Sequence, residues 1–185
     1  GRLCEIVLDE LARDLTRPAE ETASQMEEFL LQRVRAFLLD QGIRYDVIDA
    51  VQEGTARNLP NLTACAKVLQ SKLETPELSK LLTPFTRAAN LTKDLEPSAV
   101  NPELFAAAAE ENLYQAALAA KKIVEDGAAQ GDFERVFSAL SPLYESIDRF
   151  FDDVMVMDEN QDVRQNRLSL LFRVKNLFLY LGDIS

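Results

Sequence analysis

Apolar residues recur at helical spacing along most of the chain. In the stretch that contains Phe29, Leu30, Val34, Phe37 and Leu38, they repeat at intervals of three and four positions, which places them on one side of an α-helix. No stretch keeps the alternation of apolar and polar residues that is typical of a strand. Alanine and leucine dominate, and this mixture favours helices over sheet. The sequence therefore predicts an all-α protein, a bundle of about seven to eight helices.

Capping and breaking residues divide the first half of the chain. A helical pattern covers residues 3–15. Ser24 to Glu27 have the spacing of a capping box and are predicted to open the next helix, which Gly42 ends. Asp46 is predicted to cap a short helix over residues 47–51. Further amphipathic stretches follow at residues 62–73 and from Thr75 onward, where Pro84 is predicted to kink or restart the helix.

The second half is divided by similar signals. Asn101-Pro102-Glu103 combines a cap, a proline at the first position and an acid, and it predicts a helix over residues 103–126. Gly127 to Gly131 are predicted to break that helix. Asp132 is predicted to open one helix that ends at Phe151, and a last helix is predicted over residues 162–181.

Several kinds of chemistry are excluded by what the chain lacks. It has no histidine, so a Ser-His-Asp triad, a Cys-His pair and a His-containing zinc site are impossible within it. Cys4 and Cys65 form no CxxC motif, and we expect buried thiols in a reducing compartment. No apolar run is long enough to cross a bilayer. The chain starts at Gly1 without a cap or an initiator Met, so we expect a fragment of a longer protein.

The charge is acidic overall but unevenly distributed. A net charge of −11 argues against a protein that coats nucleic acid non-specifically. However, residues 54–93 hold six basic residues against two acidic ones, and residues 163–185 hold four against one. Salt screens charges beyond about 8–10 Å, so two local basic stretches can still hold one phosphate backbone.

The segment around the turn between the last two predicted helices contains several carboxylates and large apolar residues. The carboxylates are Asp152, Asp153, Asp158, Glu159 and Asp162. A metal site or an acid–base pair is one interpretation, but the turn lacks the glycine and the ligand spacing of a calcium loop. We favour solvated acids at one helix end and a cap for the next helix at Asp158 or Asp162. The apolar residues of the turn are expected to pack in the core rather than form a partner groove: Phe150, Phe151, Met155 and Met157.

Two polar helix faces are candidates for RNA contact. Arg87, Asn90 and Lys93 are three positions apart and share one face. The last helix gathers a cation, amides, a hydroxyl and an aromatic on one side: Gln165, Asn166, Ser169, Arg173, Asn176 and Tyr180. Both faces suit contact with phosphates and bases. Hydrogen bonds between helices are the alternative for the first face, and a solvated surface is the alternative for the second.

Three segments resemble the β subunit of the bacterial-type, two-subunit glycyl-tRNA synthetase. The longest covers residues 150–185, with FFDDVMVM, RQNRL and the terminal DIS. The others are GIRYDVIDAV at residues 42–51 and RAAN at residues 87–90 together with Lys93. The resemblance implies that residues 75–185 form the anticodon-binding helical bundle shared with arginyl-tRNA synthetase. Residues 1–74 would then be a connecting helical segment, the tail of the preceding part of the subunit.

The resemblance also implies a function in protein biosynthesis. The intact enzyme of this family joins glycine to its tRNA with ATP and Mg²⁺, and that chemistry belongs to the separate α subunit. This chain would be non-catalytic, hold no cofactor or metal itself, and bind the anticodon stem-loop. Its partners would be the tRNA for glycine and, through the intact β subunit, the α subunit, with no DNA and no membrane. The expected location is the cytoplasm or a plastid stroma.

Six residues match the family's RNA-binding pattern position by position: Arg87, Asn90, Lys93, Arg164, Asn166 and Arg167. Our hypothesis for these residues gives phosphate contacts to the four cations. It gives helix-fixing or base contacts to the two asparagines. The last helix adds three candidates from its own pattern: Arg173, Lys175 and Tyr180.

A helical protein-interaction module is the competing hypothesis. The acidic balance and the alanines between residues 106 and 120 would suit docking of another subunit or domain. RNA binding through cations weakens steeply with salt, whereas docking through apolar area hardly changes. The response to salt therefore separates the two hypotheses.

Overall fold

The structure, a computed structural model, describes residues 19–54, 58–93, 95–96 and 98–184. The helical pattern predicted for residues 3–15 lies outside those residues. The described residues form eight α-helices and one 3-10 turn, with no strand among them. These elements are α1 (Ala19–Asp40), α2 (Tyr45–Glu53), α3 (Leu59–Lys72), α4 (Pro76–Leu91), η1 (Pro102–Leu104), α5 (Ala108–Gln130), α6 (Phe133–Leu140), α7 (Leu143–Asp153) and α8 (Gln161–Phe178). The predicted all-α class is confirmed, and none of the described helices is both long and apolar enough to span a membrane.

Helix α8 lies at the centre of the bundle. Every residue from Asn166 to Leu171 is buried, so this part of the helix is covered on all sides, since consecutive residues point in different directions around a helix. Helices α4 and α5 pack against it, and the rings of Phe85 and Phe178 meet with their centroids 5.4 Å apart. Helices α6 and α7 pack on α5, while α1 and α2 pack on α3.

Two helix starts predicted for the N-terminal part are wrong. Helix α1 already begins at Ala19, so the Ser24–Glu27 pattern lies inside it. Helix α2 begins at Tyr45 after an Arg44 cap, and the Asp46 carboxylate instead accepts hydrogen bonds from the Arg44 guanidinium and from Val47 N. Acids are favoured anywhere in the first turn, which is why the pattern did not identify the cap.

Helix α4 runs without interruption through Pro84, so the predicted restart is wrong. Pro84 is itself buried, as are Leu81, Phe85 and Ala88 on the same helix. An interior proline costs an isolated helix about 3 kcal/mol. Packing of this apolar side in the bundle outweighs that cost.

Helix α5 begins and ends later than predicted. The Asn101 side chain does cap a turn, since it accepts from Glu103 N, but that turn is only η1. Helix α5 then passes through Gly127 and ends at Gly131, whose φ of 72° is left-handed. A Cβ on Gly127 would lie 2.9 Å from Val136 Cγ2, so this glycine allows α6 to approach α5 closely.

The helix predicted from Asp132 to Phe151 is two helices, α6 and α7. Asp132 caps α6 as predicted, accepting from Arg135 N at 3.1 Å. Pro142 has no N–H to continue the helix, and α7 starts after it. Helix α8 covers nearly its predicted span, but its cap is Asn160, whose side chain accepts from Asp162 N and Val163 N.

The C-terminal residues fold back onto α2 and α3. Asp183 N donates to Ala50 O at 2.8 Å, and the Cys65 thiol donates to Leu181 O at 3.0 Å. Burial raises the pKa of this thiol to about 12, so the expected buried cysteine is confirmed at this position and Cys4 lies outside the described residues. These contacts cross the boundary predicted between residues 74 and 75, and that boundary stays a prediction.

Candidate nucleic-acid interface

The C-terminal end of α4 and the segment between α7 and α8 form the two walls of an open groove. Arg87 and Asn90 line one wall, and residues 151–157 line the other. Both α4 side chains are exposed, as is Lys93 in the turn that follows the helix. Three of the predicted RNA-binding residues therefore lie at one accessible end of α4.

Arg87 is held at the groove by an aromatic ring. Its guanidinium lies 4.0 Å from the centroid of Phe151, a contact worth about 0.5–1 kcal/mol at an exposed site. Two other cations of α3 and α4 lie over rings of α6 and α7 in the same way: Lys72 over Phe137 and Lys80 over Tyr144. Cation–π contacts thus hold Arg87 and these two lysines against rings of the neighbouring helices.

The joining segment alternates between buried and exposed side chains. Val154 and Val156 are buried, whereas Met155 is 76% exposed and Met157 is 58% exposed. The expectation that both methionines pack in the core is wrong, although Phe150 does so. The exposed thioethers give the groove a polarizable apolar surface.

The polar side of α8 is covered by residues 98–101. Asn166 Oδ1 accepts from Asn101 N at 2.7 Å, and Asn166 Nδ2 donates to Asn101 O at 3.0 Å. The hydroxyls of Ser169 and Ser98 lie 2.7 Å apart. Asn166 is only 4% exposed, so its amide fixes the chain against the helix. This geometry favours the helix-fixing role over a base contact.

Arg167 also faces the interior and is only 6% exposed. Its Nε donates to Glu110 Oε1 at 2.9 Å, and its Nη1 donates to Asp158 Oδ2 at 2.7 Å and to Met155 O at 3.0 Å. These partners all belong to the protein. The geometry is that of an internal ion pair and does not favour the phosphate contact predicted for this residue.

Glu110 is the residue of this site that sequence reasoning missed. Its carboxylate is fully buried, and Oε2 accepts from Ala106 N and Ala107 N at 2.8 Å each. An acid three positions inside a helix start is the reciprocal half of a capping box. With the helix start predicted at residue 103, that signal is lost because Glu110 falls in mid-helix.

Asp158 ties the acidic turn to Arg167. Its pKa lies below the ordinary value of 3.8, because Asn160 N donates to the carboxylate and the Arg167 guanidinium does so as well. Asp152 and Asp153 are exposed, as the favoured interpretation of the acidic turn expects, but the predicted cap at Asp158 or Asp162 is wrong because Asn160 caps α8. The role at Asp158 is an ion pair rather than a helix cap.

The remaining predicted residues are half-buried and do not line the groove: Arg164, Arg173, Lys175 and Tyr180. The Arg173 guanidinium lies 5.4 Å from the ring centroid of Tyr114 on α5. The structure thus brings Arg87, Asn90 and Lys93 together and leaves these four elsewhere along α8 and its C-terminal turn.

Residues 81–181 match the family model of the DALR anticodon binding domain. The matched residues include the groove, the segment that covers α8 and the Arg167 ion pairs. The match covers more than half of the chain, and the chain belongs to this family.

Three relatives are glycine–tRNA ligase beta subunits. The chain is 38% identical to that of Halalkalibacterium halodurans over 158 residues, which are 85% of this chain and 23% of the relative. It is 37% identical to that of Desulforudis audaxviator (92% and 25%) and 34% identical to that of Syntrophus aciditrophicus (95% and 25%). The chain thus spans about a quarter of the length of these relatives.

Proposed function

We propose that this chain binds the anticodon stem-loop of the tRNA for glycine and thereby supports attachment of glycine to that tRNA. The observation that carries the proposal is the anticodon-binding family match over residues 81–181. The matched residues include an exposed groove whose lining contains a cation, an amide, two thioethers and the carboxylates of Asp152 and Asp153. The glycine–tRNA ligase names of the relatives support the choice of tRNA.

Within this proposal, the end of α4 is the main contact surface. Arg87 and Lys93 hold phosphates, since both cations are exposed and cations supply most of the affinity for RNA. Asn90 addresses a base edge, because its amide offers both a donor and an acceptor. The half-buried residues of α8 and its turn contribute at the rim: Arg164, Arg173, Lys175 and Tyr180. Asn166 and Arg167 act inside the protein.

The proposal also concerns the larger enzyme. ATP and Mg²⁺ would be used at an α subunit, and no residue of this chain is assigned to hold them. The α subunit would be reached through the rest of a β subunit in the cytoplasm or a plastid stroma. This chain would contribute recognition and no catalytic group.

The alanines do not form the single docking face that the competing hypothesis assigned to them. The alanines assigned to one face are divided between core and solvent: Ala109, Ala117 and Ala120 are buried, and Ala106, Ala108 and Ala119 are exposed. The three buried alanines belong to the hydrophobic core of the bundle. No single alanine face is left for a partner.

Binding of the protein to an anticodon stem-loop over a salt series tests the proposal. The glycine stem-loop should bind more tightly than one with altered second and third anticodon bases. Arg87→Ala should weaken binding of both loops and lower the slope of log affinity against log salt by about 0.7–0.9, the value for one phosphate contact.

Arg33→Ala is the matched control. Arg33 is also an exposed arginine, but α1 packs on α2 and α3 and not on the groove helices, so its substitution should leave the slope unchanged. Equal and weak binding of both loops by the unmodified protein would show that the chain does not recognise the anticodon.

A further inference from the structure

Arg167 lies at the centre of a buried network that joins three parts of the fold. The residue itself belongs to α8, Glu110 belongs to the start of α5, and Asp158 belongs to the segment between α7 and α8. Glu110 also accepts from the two backbone N–H groups that precede α5. One guanidinium therefore fixes the relative positions of these three segments.

The same network holds the joining segment on both sides of Met157. Arg167 Nη1 donates to the Met155 carbonyl and to the Asp158 carboxylate, and the buried side chains of Val154 and Val156 anchor the segment from within. Met155 and Met157 are consequently held outward. Because both methionines are exposed, they do not contribute the favourable free energy of folding that burial of a large apolar side chain supplies.

Stability alone does not account for such a network. A buried ion pair is on average no more stabilising than apolar residues of the same volume, and its best-attested use is to fix one arrangement among several. The arrangement fixed in this fold is that of the groove wall opposite Arg87 and Asn90.

We propose that Arg167 is a positioning residue, which holds residues 154–158 so that Met155 and Met157 pack against the faces of unpaired RNA bases in the groove. This inference rests on the proposed function. Thioether sulfur packs well on flat rings, and the unstacked bases of an RNA loop present such faces. Arg167 itself does not touch the RNA.

The methyl signals of ¹³C-labelled methionine test the positioning in the free protein. The chain has three methionines, and Met26 on α1 serves as an internal reference. Asp158→Asn and Arg167→Lys should shift the Met155 and Met157 signals and leave Met26 unchanged, because lysine keeps the charge but loses the forked geometry. Asp162→Asn, which changes an exposed acid in the first turn of α8, is the matched control and should move none of the three signals. Unchanged Met155 and Met157 signals in both network variants would overturn the proposal.

Binding of the glycine stem-loop tests the role in recognition. Arg167→Lys should lower the affinity on the order of tenfold, the scale expected if the sulfur–ring contacts of both methionines are lost, while the salt slope stays at its original value. A slope reduced by about 0.7–0.9 would make Arg167 a phosphate contact and overturn the proposal.

The two proposals fail in different ways. A protein that does not bind the stem-loop contradicts the proposed function, and the methyl signals of the free protein still decide whether Arg167 positions the segment. If the protein binds the stem-loop but this binding shifts neither the Met155 nor the Met157 signal, the proposed function stands and the contact of the methionines with bases is contradicted.

Discussion

The end of α4 and the first half of α8 are similar in sequence and opposite in role. Each holds an arginine and an asparagine three or fewer positions apart, Arg87 with Asn90 and Asn166 with Arg167. The pair on α4 is exposed at a groove, while the pair on α8 is buried and fully engaged with the protein. The difference arises because residues 98–101 and the turn after α7 lie over α8, whereas an open groove separates Arg87 and Asn90 from the segment opposite them.

This comparison shows that residue type alone does not identify an RNA contact. Arginine and asparagine offer the same donors and acceptors to a phosphate, a base or a backbone. Whether such a residue contacts RNA or the protein itself depends on which polar groups the fold brings within hydrogen-bond distance of it. On α8 these are Glu110, Asp158 and the backbone of Asn101.

The largest expected effect comes from breaking the buried pair. Glu110→Ala removes the partner of a buried guanidinium and the acceptor of two backbone N–H groups, so it should lower the free energy of unfolding by about 3–5 kcal/mol. The neighbouring Glu111→Ala removes an exposed carboxylate that accepts only from Gln115 among the hydrogen bonds described and should change it by less than about 0.5 kcal/mol. Urea unfolding followed by circular dichroism measures both. If the two variants lost similar free energies of unfolding, burial of the carboxylate would not determine how much each site contributes to stability.

An intermediate effect is expected from the asparagines. Asn166→Ala should lower the free energy of unfolding by about 1–2 kcal/mol, since it removes two hydrogen bonds to Asn101 in a buried site. Asn90→Ala should cost less than about 0.5 kcal/mol because the side chain is exposed. The same unfolding measurement compares them. In stem-loop binding the order should reverse, with Asn90→Ala reducing the preference for the glycine anticodon more than Asn166→Ala does.

The smallest effect concerns Asp158 and depends on pH. Its pKa in the folded protein is below the ordinary 3.8, so the charged carboxylate stabilises the fold above that pH, and this stabilisation is lost as the pH falls through the lowered pKa. The difference in Tm between the original protein and Asp158→Asn should stay constant from about pH 5 to 8 and shrink below about pH 4. A difference that persists undiminished at about pH 3 would show that the carboxylate charge is not what stabilises the turn.

Sequence signals predicted a helix boundary correctly where a single residue forms the cap or the stop by itself. Gly42 ends α1 and Asp132 caps α6, each through its own backbone or side chain. Pro84 and Gly127 were misjudged because both lie inside helices where packing against α8 or α6 outweighs their local cost. The groove was predicted only on its α4 side. The exposure of Met155 and Met157 follows from anchors at Val154, Val156 and Asp158 that belong to the folded turn.

The sequence by itself determined the all-α class, the main helices and the family, because helical periodicity and the motif of residues 150–185 are local properties of the chain. It also placed Arg87 and Asn90 on one side of α4, although Lys93 lies in the turn after the helix and not on that side as predicted. The tertiary structure alone decided which cations stay accessible, because accessibility depends on segments far apart in the chain. Residues 98–101 cover Asn166, and Glu110, which lies 57 positions before Arg167, turns that arginine inward.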